Sequence, residues 1–155
     1  ADADLQSVIR QNPRMRLSVA ADIGRDVLSA LAHIHSAGLV VLDVKPSNVL
    51  VFGERMAKLC DFGLSRHRRD HMPAQRELVT LWYRAPELLM GAAEYSEAVD
   101  AWGAGCVLLE MLVGAAPFQG DPRATCQCSM LSHRNYNGDQ LWRIFGTVGS
   151  PSDSD

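Results

Sequence analysis

The segment 99–112 constrains the fold of this chain more than any other part of its sequence. Apolar residues would lie on nearly every side of a helix built from it: Val99, Trp102, Cys106, Val107, Leu108, Leu109 and Met111. A helix that is apolar all round is stable in water only when other elements surround it. We therefore expect a buried central helix that stops at Gly114, with the rest of the chain packed around it.

Further helices are predicted around that centre. A helix over residues 17–35 would bury one stripe of apolar side chains at helical spacing, namely Ile23, Val27, Leu31 and Ile34. Gly38 follows this helix and suits a left-handed cap, because glycine has no Cβ to clash. Shorter helices are expected over 5–10 and 141–145.

Two short strands complete the predicted fold. Residues 49–52 and 56–59 are rich in strand-forming side chains, and the hairpin-sized connection 53–55 joins them. Residues 65–76 are polar, basic and without a period, which indicates a surface loop. The predicted fold class is α+β, mostly α-helical, with one short β-hairpin.

Length, charge and cysteine spacing exclude several classes of protein. With 155 residues and a net charge of -3, the chain fits one domain that binds neither nucleic acid nor a membrane surface. No apolar run reaches the roughly 20 residues of a transmembrane helix, and the acidic N-terminus is unlike a signal peptide. The four cysteines fit no disulfide framework, which favours a reducing, cytoplasmic or nuclear location.

Two short polar loops flank the predicted hairpin. Asp43, Lys45 and Asn48 lie before it, and Asp61 and Gly63 follow it. Together they supply a carboxylate to orient a hydroxyl, a cation for phosphate charge, and oxygen ligands for Mg²⁺. Each of these residue types is also common in turns, so the prediction of phosphoryl transfer depends on both loops occurring in this order.

The two loops, followed by Ala-Pro-Glu at 85–87, resemble the signature of eukaryotic protein kinases. The chain is similar to the C-terminal lobe of that catalytic domain, within the group of mitogen-activated and cyclin-dependent kinases. Residues 139–141 and 149–152 are similar to the mitogen-activated side of the group, and residues 79–87 to the cyclin-dependent side. The resemblance therefore implies a kinase-like lobe with its hairpin beside the catalytic loop.

The resemblance implies a role for each polar side chain of the two loops. Asp43 matches the catalytic aspartate that receives or orients the proton of the substrate hydroxyl. Lys45 matches the lysine that steadies the γ-phosphate of ATP, and Asn48 and Asp61 match the two Mg²⁺ ligands. Thr80 matches the threonine that hydrogen-bonds the catalytic aspartate and lysine. ATP and Mg²⁺ are the cofactors that these matches imply.

Further positions are implied by the same resemblance. Asp4 is an expected cofactor-binding residue, together with the loop residues above. Asp100, at the start of the central helix, matches the residue that anchors the backbone of the catalytic loop. Leu78, Val79 and Arg84 match the region that accepts proline after the phosphorylated residue, so proline-directed substrates are a narrower hypothesis.

The sequence departs from the family pattern at regulatory positions. Where the family has His-Arg-Asp, this chain has Val41, Leu42 and Asp43. The arginine that would bind a phosphate on the activation loop is therefore missing. The place of the phosphorylated residue holds Gln-Arg-Glu at 75–77. The two losses agree with each other, and we expect a site that activation-loop phosphorylation does not switch.

The resemblance covers residues 1–155 as a partial kinase domain, starting near the hinge and ending after the helix that follows the central one. An insertion is expected at 122–137. No Gly-rich phosphate loop or lysine strand occurs in the sequence, so the polypeptide by itself should not be a competent kinase. The implied function is protein serine/threonine phosphorylation, with a protein substrate and room for a regulatory subunit or scaffold as a further partner.

Three alternatives remain open at this point. The chain could be a pseudokinase or docking module that binds partners without chemistry, as the altered residues 41–42 suggest. It could also be an incomplete chain whose parent is the enzyme. Cys126, Cys128 and His133 could suggest a metal site, but their spacing lacks the paired cysteines of zinc modules, and a plain polar insertion is favoured.

Overall fold

The computed structural model of the chain describes residues 1–70, 81–92, 94–120 and 136–150. The helices are α1 (Leu5–Gln11), α2 (Leu17–Ser36), α3 (Pro86–Leu89), α4 (Ala98–Val113) and α5 (Tyr136–Val148). The strands are β1 (Ala3–Asp4), β2 (Leu39–Val40), β3 (Val49–Phe52), β4 (Met56–Leu59) and β5 (Arg66–His67). Two single 3-10 turns, Pro46–Asn48 and Leu81–Tyr83, lie beside the polar loops.

Helix α4 occupies the predicted central position, but the expectation that it is buried on every side is wrong. Val107 and Met111 are fully buried in the main core. Leu109, Leu112 and Val113 are 45%, 38% and 58% exposed. Among the described residues, α2 and the polar loop before β3 pack against one side of α4, and these three residues lie on a side that remains largely open. Composition alone cannot indicate which side of a helix with apolar residues on nearly every face its neighbours leave open.

Helix α2 confirms the predicted stripe. Ile23, Val27 and Leu31 are almost fully buried, and Ile34 packs partly buried against the same core. Gly38, just beyond the helix, has a φ of 78°, as its predicted left-handed cap requires. The stripe faces α4 and the hairpin, so α2 joins the helical core to the sheet.

The sheet confirms the hairpin and extends it. Strands β3 and β4 pair antiparallel with Val49 opposite Leu59, and β1 adds a third strand on the other edge of β3. The prediction that 65–76 is irregular throughout is wrong at its start, because β5 pairs antiparallel with β2. A ladder of two residues shows no sequence period, since its partner lies far away in the chain.

The ends of the helices differ from the predictions by small amounts, with one larger exception. Helices α1 and α2 each extend one residue beyond the predicted range, whereas α5 spans Tyr136–Val148 and not only 141–145. The last two residues of the expected insertion, 136 and 137, therefore begin a helix. The architecture is α+β and mostly helical, as predicted. No helix among the described residues is long and apolar enough to cross a membrane.

Candidate active site

The hairpin brings the two polar loops to the same end of the sheet. The loop with Asp43 and Lys45 runs through the 3-10 turn Pro46–Asn48 directly into β3. The backbone carbonyl of Asn48 accepts a hydrogen bond of 2.9 Å from the N–H of Cys60, just after β4. Asp61 is the residue directly after Cys60. Residues from two separate loops thus become neighbours because the strands between them pair.

Asp43 is the centre of this arrangement. Its carboxylate is buried, and its Oδ2 lies 2.8 Å from Lys45 Nζ and accepts a 2.8 Å hydrogen bond from Asn48 Nδ2. Asn48 Nδ2 also donates to the Asp43 carbonyl at 3.0 Å, which fixes the loop around the carboxylate. The second oxygen, Oδ1, is buried without a hydrogen-bond partner among the described residues. A buried carboxylate oxygen without a partner is costly unless another molecule supplies a proton donor.

Asn48 and Asp61 provide the oxygens that a hard cation would need. The amide nitrogen of Asn48 is used on Asp43, so Oδ1 is the atom of this side chain that would bind a metal. Asp61 is exposed, has a φ of 59°, and accepts a hydrogen bond of 3.2 Å from the Gly63 N–H. No cluster of three or more His, Cys, Asp or Glu suited to a metal occurs among the described residues. A pair of protein oxygens suits Mg²⁺, which keeps waters and takes phosphate oxygens as further ligands.

Asp100 on α4 binds the backbone just before Asp43. Its Oδ2 accepts from the Val41 N–H and its Oδ1 from the Leu42 N–H, both at 2.8 Å. His35 Nε2 lies 2.8 Å from the same Oδ2. Leu42 has a φ of 67°, a left-handed conformation that costs a leucine free energy and must be held by its surroundings. The contact of His35 was missed, because nothing near it in the sequence points to Asp100.

Arg84 and Asp43 line a cavity of about 20 Å³ together with Leu42 and Ala85. Burial lowers the pKa of the Arg84 guanidinium and the charge of Asp43 partly offsets that effect. The cavity has room for about one water molecule. The sequence prediction connected Arg84 with a proline-accepting region and missed its proximity to Asp43, for which the sequence carries no local signal.

Leu42 and Val41 make apolar contacts where the family pattern has polar side chains. Val41 is buried in the main core, with 2% of its surface exposed. The Leu42 side chain packs against a second cluster, formed by Val40, Ala85 and Val99. The loop that contains Val41, Leu42 and Asp43 is therefore joined to the segment around Ala85 by apolar packing.

The remaining predicted residues have mixed outcomes. Asp4 is the N-cap of α1: its two carboxylate oxygens accept from the Ser7 N–H and hydroxyl, and the backbone bond lowers its pKa most. Its assignment to cofactor binding stays a prediction. Burial raises the pKa of the Cys60 thiol, as expected for a partly buried cysteine. Three predicted positions lie outside the described residues, namely Thr80, Leu78 and Val79, and so do Cys126, Cys128 and His133 of the disfavoured metal site.

Comparison with known proteins agrees with this geometry. A family model described as Protein kinase domain matches residues 1–145. The chain is 39% identical over 149 residues to a putative cyclin-dependent kinase F-2 of Oryza sativa subsp. japonica, covering 94% of this chain and 41% of the relative. It is 36% identical over 154 residues to a mitogen-activated protein kinase homolog of Nicotiana tabacum, covering 99% of this chain and 38% of the relative. The chain thus spans about two fifths of the length of these relatives.

Proposed function

The chain belongs to the protein kinase family, and we propose that it forms the catalytic half of a kinase that transfers the γ-phosphoryl group of ATP to serine or threonine hydroxyls. The observation that carries this proposal is the state of Asp43. Its carboxylate is buried and held on one oxygen by Lys45 and Asn48, whereas the other oxygen has no partner in the described part of the chain. An oxygen held in this way is suited to accept a hydrogen bond from an incoming hydroxyl.

Asp43 and Lys45 divide the work of the transfer. The Oδ1 of Asp43 would orient the substrate hydroxyl towards the phosphorus and take up its proton as the new phosphate ester bond forms. Lys45, fixed 2.8 Å from the Oδ2 of Asp43, would place its positive charge near the oxygens of the transferred group. The ion pair also keeps Asp43 in one orientation, so that little reorganisation is needed during the reaction.

The side-chain oxygens of Asn48 and Asp61 are suited to hold Mg²⁺ together with ATP. Asn48 and Asp61 would hold Mg²⁺ through side-chain oxygens, and the ion would neutralise charge on the phosphates when bound. Asp61 is exposed and its backbone is held in a left-handed conformation beside Gly63. A side chain in this state is free to meet a nucleotide-bound cation, since within the described residues only its Oδ1 is engaged, by one backbone N–H.

Substitutions that remove a reactive group and keep the shape of the side chain test the proposed chemistry. In a longer protein that contains this chain and transfers phosphate, Asp61→Asn should abolish Mg²⁺-dependent transfer from γ-labelled ATP to a serine- or threonine-containing protein. The same holds for Asp43→Asn, which keeps the shape of the side chain but cannot take up the proton. The matched control is Asp22→Asn, because Asp22 on α2 forms surface ion pairs with Arg25 on the same helix and with Arg55 in the connection between β3 and β4. Unchanged transfer in Asp61→Asn would refute the metal-ligand role.

A second candidate function is a docking module without catalysis, favoured by the replacement of the family's His-Arg by Val41 and Leu42. Such a module would bind partners equally well with or without Asp43. A partner that binds the wild type and Asp43→Asn alike, while neither transfers phosphate, would favour the module. Loss of transfer only in the variant favours the enzyme.

Proline-directed substrates are the narrower part of the proposal. Its structural support is Arg84, which is partly buried beside Asp43 and Ala85 at the cavity described above. Phosphorylation of an array of peptides should then favour serine or threonine followed by proline. Equal rates with and without that proline would reject this narrower specificity and leave the kinase assignment intact.

A further inference from the structure

A hydrogen-bonded clamp outside the two catalytic loops holds the turn Leu81–Tyr83. The indole Nε1 of Trp82 donates to the carbonyl of Gly120 at 3.2 Å. The side chain of Gln140 accepts from the Gly120 N–H at 3.1 Å through Oε1 and donates to the Trp82 carbonyl at 3.5 Å through Nε2. The three bonds join the turn, the segment after α4, and helix α5.

The burial of Gln140 indicates that its amide group does more than fill space. Only 1% of its surface is exposed, and a buried amide is costly unless both its donor and its acceptor are used. Gln140 uses both on backbone groups of two different segments. An apolar side chain of similar size would fill the same volume without that cost.

Gly120 fits the clamp because any larger residue would collide with it. A Cβ at this position would lie 2.8 Å from Gln140 Oε1 and 3.2 Å from Asp139 Oδ2. The first of these distances is too short for a real contact, so a larger residue at position 120 would push the Gln140 side chain away from its place in the clamp.

The clamped turn leads directly to the catalytic centre. Within it, the Tyr83 hydroxyl donates a 2.6 Å hydrogen bond to buried Glu110 on α4, and the next residue is Arg84, which lines the cavity with Asp43. We propose that Gln140 is a positioning residue, which fixes the turn Leu81–Tyr83 and thereby holds Arg84 beside Asp43. Its importance for a protein substrate rests on the proposed function, whereas its hold on the turn does not.

Hydrogen exchange of the chain tests the hold on the turn directly. Gln140→Met keeps the length of the side chain and loses both hydrogen bonds, and Gln140→Glu keeps the acceptor for Gly120 but has no N–H for Trp82. The control is Arg143→Met on the same helix, whose partly exposed side chain bonds only Asp139 in the described structure. We expect amides in 81–85 to exchange about tenfold faster in Gln140→Met, at least as fast in Gln140→Glu, where an unpaired carboxylate would face the Trp82 carbonyl, and unchanged in the control.

The exchange experiment has outcomes that would overturn the positioning role of Gln140. Unchanged exchange of 81–85 in Gln140→Met, with α5 still protected, would overturn it. If α5 also loses protection in Gln140→Met, the comparison is made with Gln140→Glu instead. Exchange of 81–85 at the wild-type rate in Gln140→Glu would then overturn the inference as well.

Mg²⁺·ATP binding by the same samples keeps this result apart from the proposed function. Gln140 contacts neither polar loop, so binding should be equal in the wild type and all three variants. A longer wild-type protein containing this chain that does not bind Mg²⁺·ATP would count against the proposed function alone. Where transfer is measurable, Gln140→Met should raise the KM for a protein substrate about tenfold at unchanged KM for ATP. A raised KM for ATP instead would contradict the positioning role.

Discussion

Asp100 accepts a 2.8 Å hydrogen bond from the backbone N–H of Leu42, whose φ of 67° places it in the left-handed region. The same carboxylate binds the N–H of Val41. A single side chain on α4 therefore stabilises a backbone conformation that leucine disfavours. Asp43 is the next residue, so the orientation of the candidate catalytic carboxylate depends on a contact with a helix far along the chain.

Removing that contact should destabilise the fold. Asp100→Ala leaves two backbone N–H groups unpaired inside the protein, and we expect the free energy of unfolding to fall by about 3 kcal/mol. Urea denaturation measures the change. Asp100→Asn keeps one acceptor oxygen and should lose a smaller part. Equal losses in the two variants would contradict this expectation, because they would mean that the one acceptor oxygen kept by asparagine does not hold the loop and that both carboxylate oxygens are needed.

The close approach of α4 to the catalytic loop gives a second prediction. A Cβ on Gly103 would lie 2.9 Å from Val44 Cβ and 3.0 Å from the Val44 carbonyl oxygen. Gly103→Ala should therefore lower the free energy of unfolding by about 1–3 kcal/mol through overpacking.

Gly105, on the same helix, is the matched control, because a Cβ at this position would meet no atom of the described residues within 4 Å. Gly105→Ala should stabilise the helix by about 0.5–1 kcal/mol, since alanine is the better helix former. Thermal or urea unfolding of the two variants should move in opposite directions. A stabilised Gly103→Ala would show that the catalytic loop can retreat from α4 at no cost.

The buried pair of Tyr83 and Glu110 predicts a pH dependence of stability. Burial raises the pKa of Glu110 above its ordinary value of 4.5, and the hydrogen bond from Tyr83 opposes this only in part. The folded protein therefore binds this proton more tightly than the unfolded chain does. The stability that Glu110 contributes is complete below about pH 4.5 and is lost as the pH rises through its folded pKa.

Glu110→Gln isolates that effect, because glutamine still accepts from the Tyr83 hydroxyl but does not ionise. The variant should be close to the wild type in stability near pH 4 and more stable at pH 7, with the gap opening between. Chemical denaturation at a series of pH values measures it. A gap that stays constant across the series would show that the ionisation of Glu110 does not change on folding.

The apolar packing of Leu42 leads to a prediction about how phosphoryl transfer responds to phosphorylation of the protein itself. Its side chain packs against Val40, Ala85 and Val99, so the catalytic loop is joined to the Ala85 segment without an arginine and a phosphate. We expect phosphatase treatment to leave the rate of phosphoryl transfer unchanged, and phosphopeptide mapping to find no activating site between Ser65 and Thr80. A kinase known to need its phosphate serves as the control for phosphatase action. An activating site in that stretch would disprove the prediction.

The parts of the site that could be predicted are those with local signals. The hairpin Val49–Phe52 and Met56–Leu59 follows from strand-forming residues around a short turn, and the two polar loops follow from their position at its ends. The structure brings Asp43, Lys45 and Asn48 together because one turn joins them. Their proximity is a property of short-range sequence, and so is the stripe of α2.

Tertiary structure alone decided the contacts that complete the site. Arg84 beside Asp43 and Gln140 on Trp82 each join segments that no periodicity relates, whereas the contact of Asp100 with the loop backbone was expected from the family resemblance alone. The largely apolar composition of residues 99–112 required a central helix, but which side of α4 remains exposed depended on where the other elements pack. Side-chain pattern determines an element and the face it can bury, whereas the partner of that face depends on the packing of the whole chain.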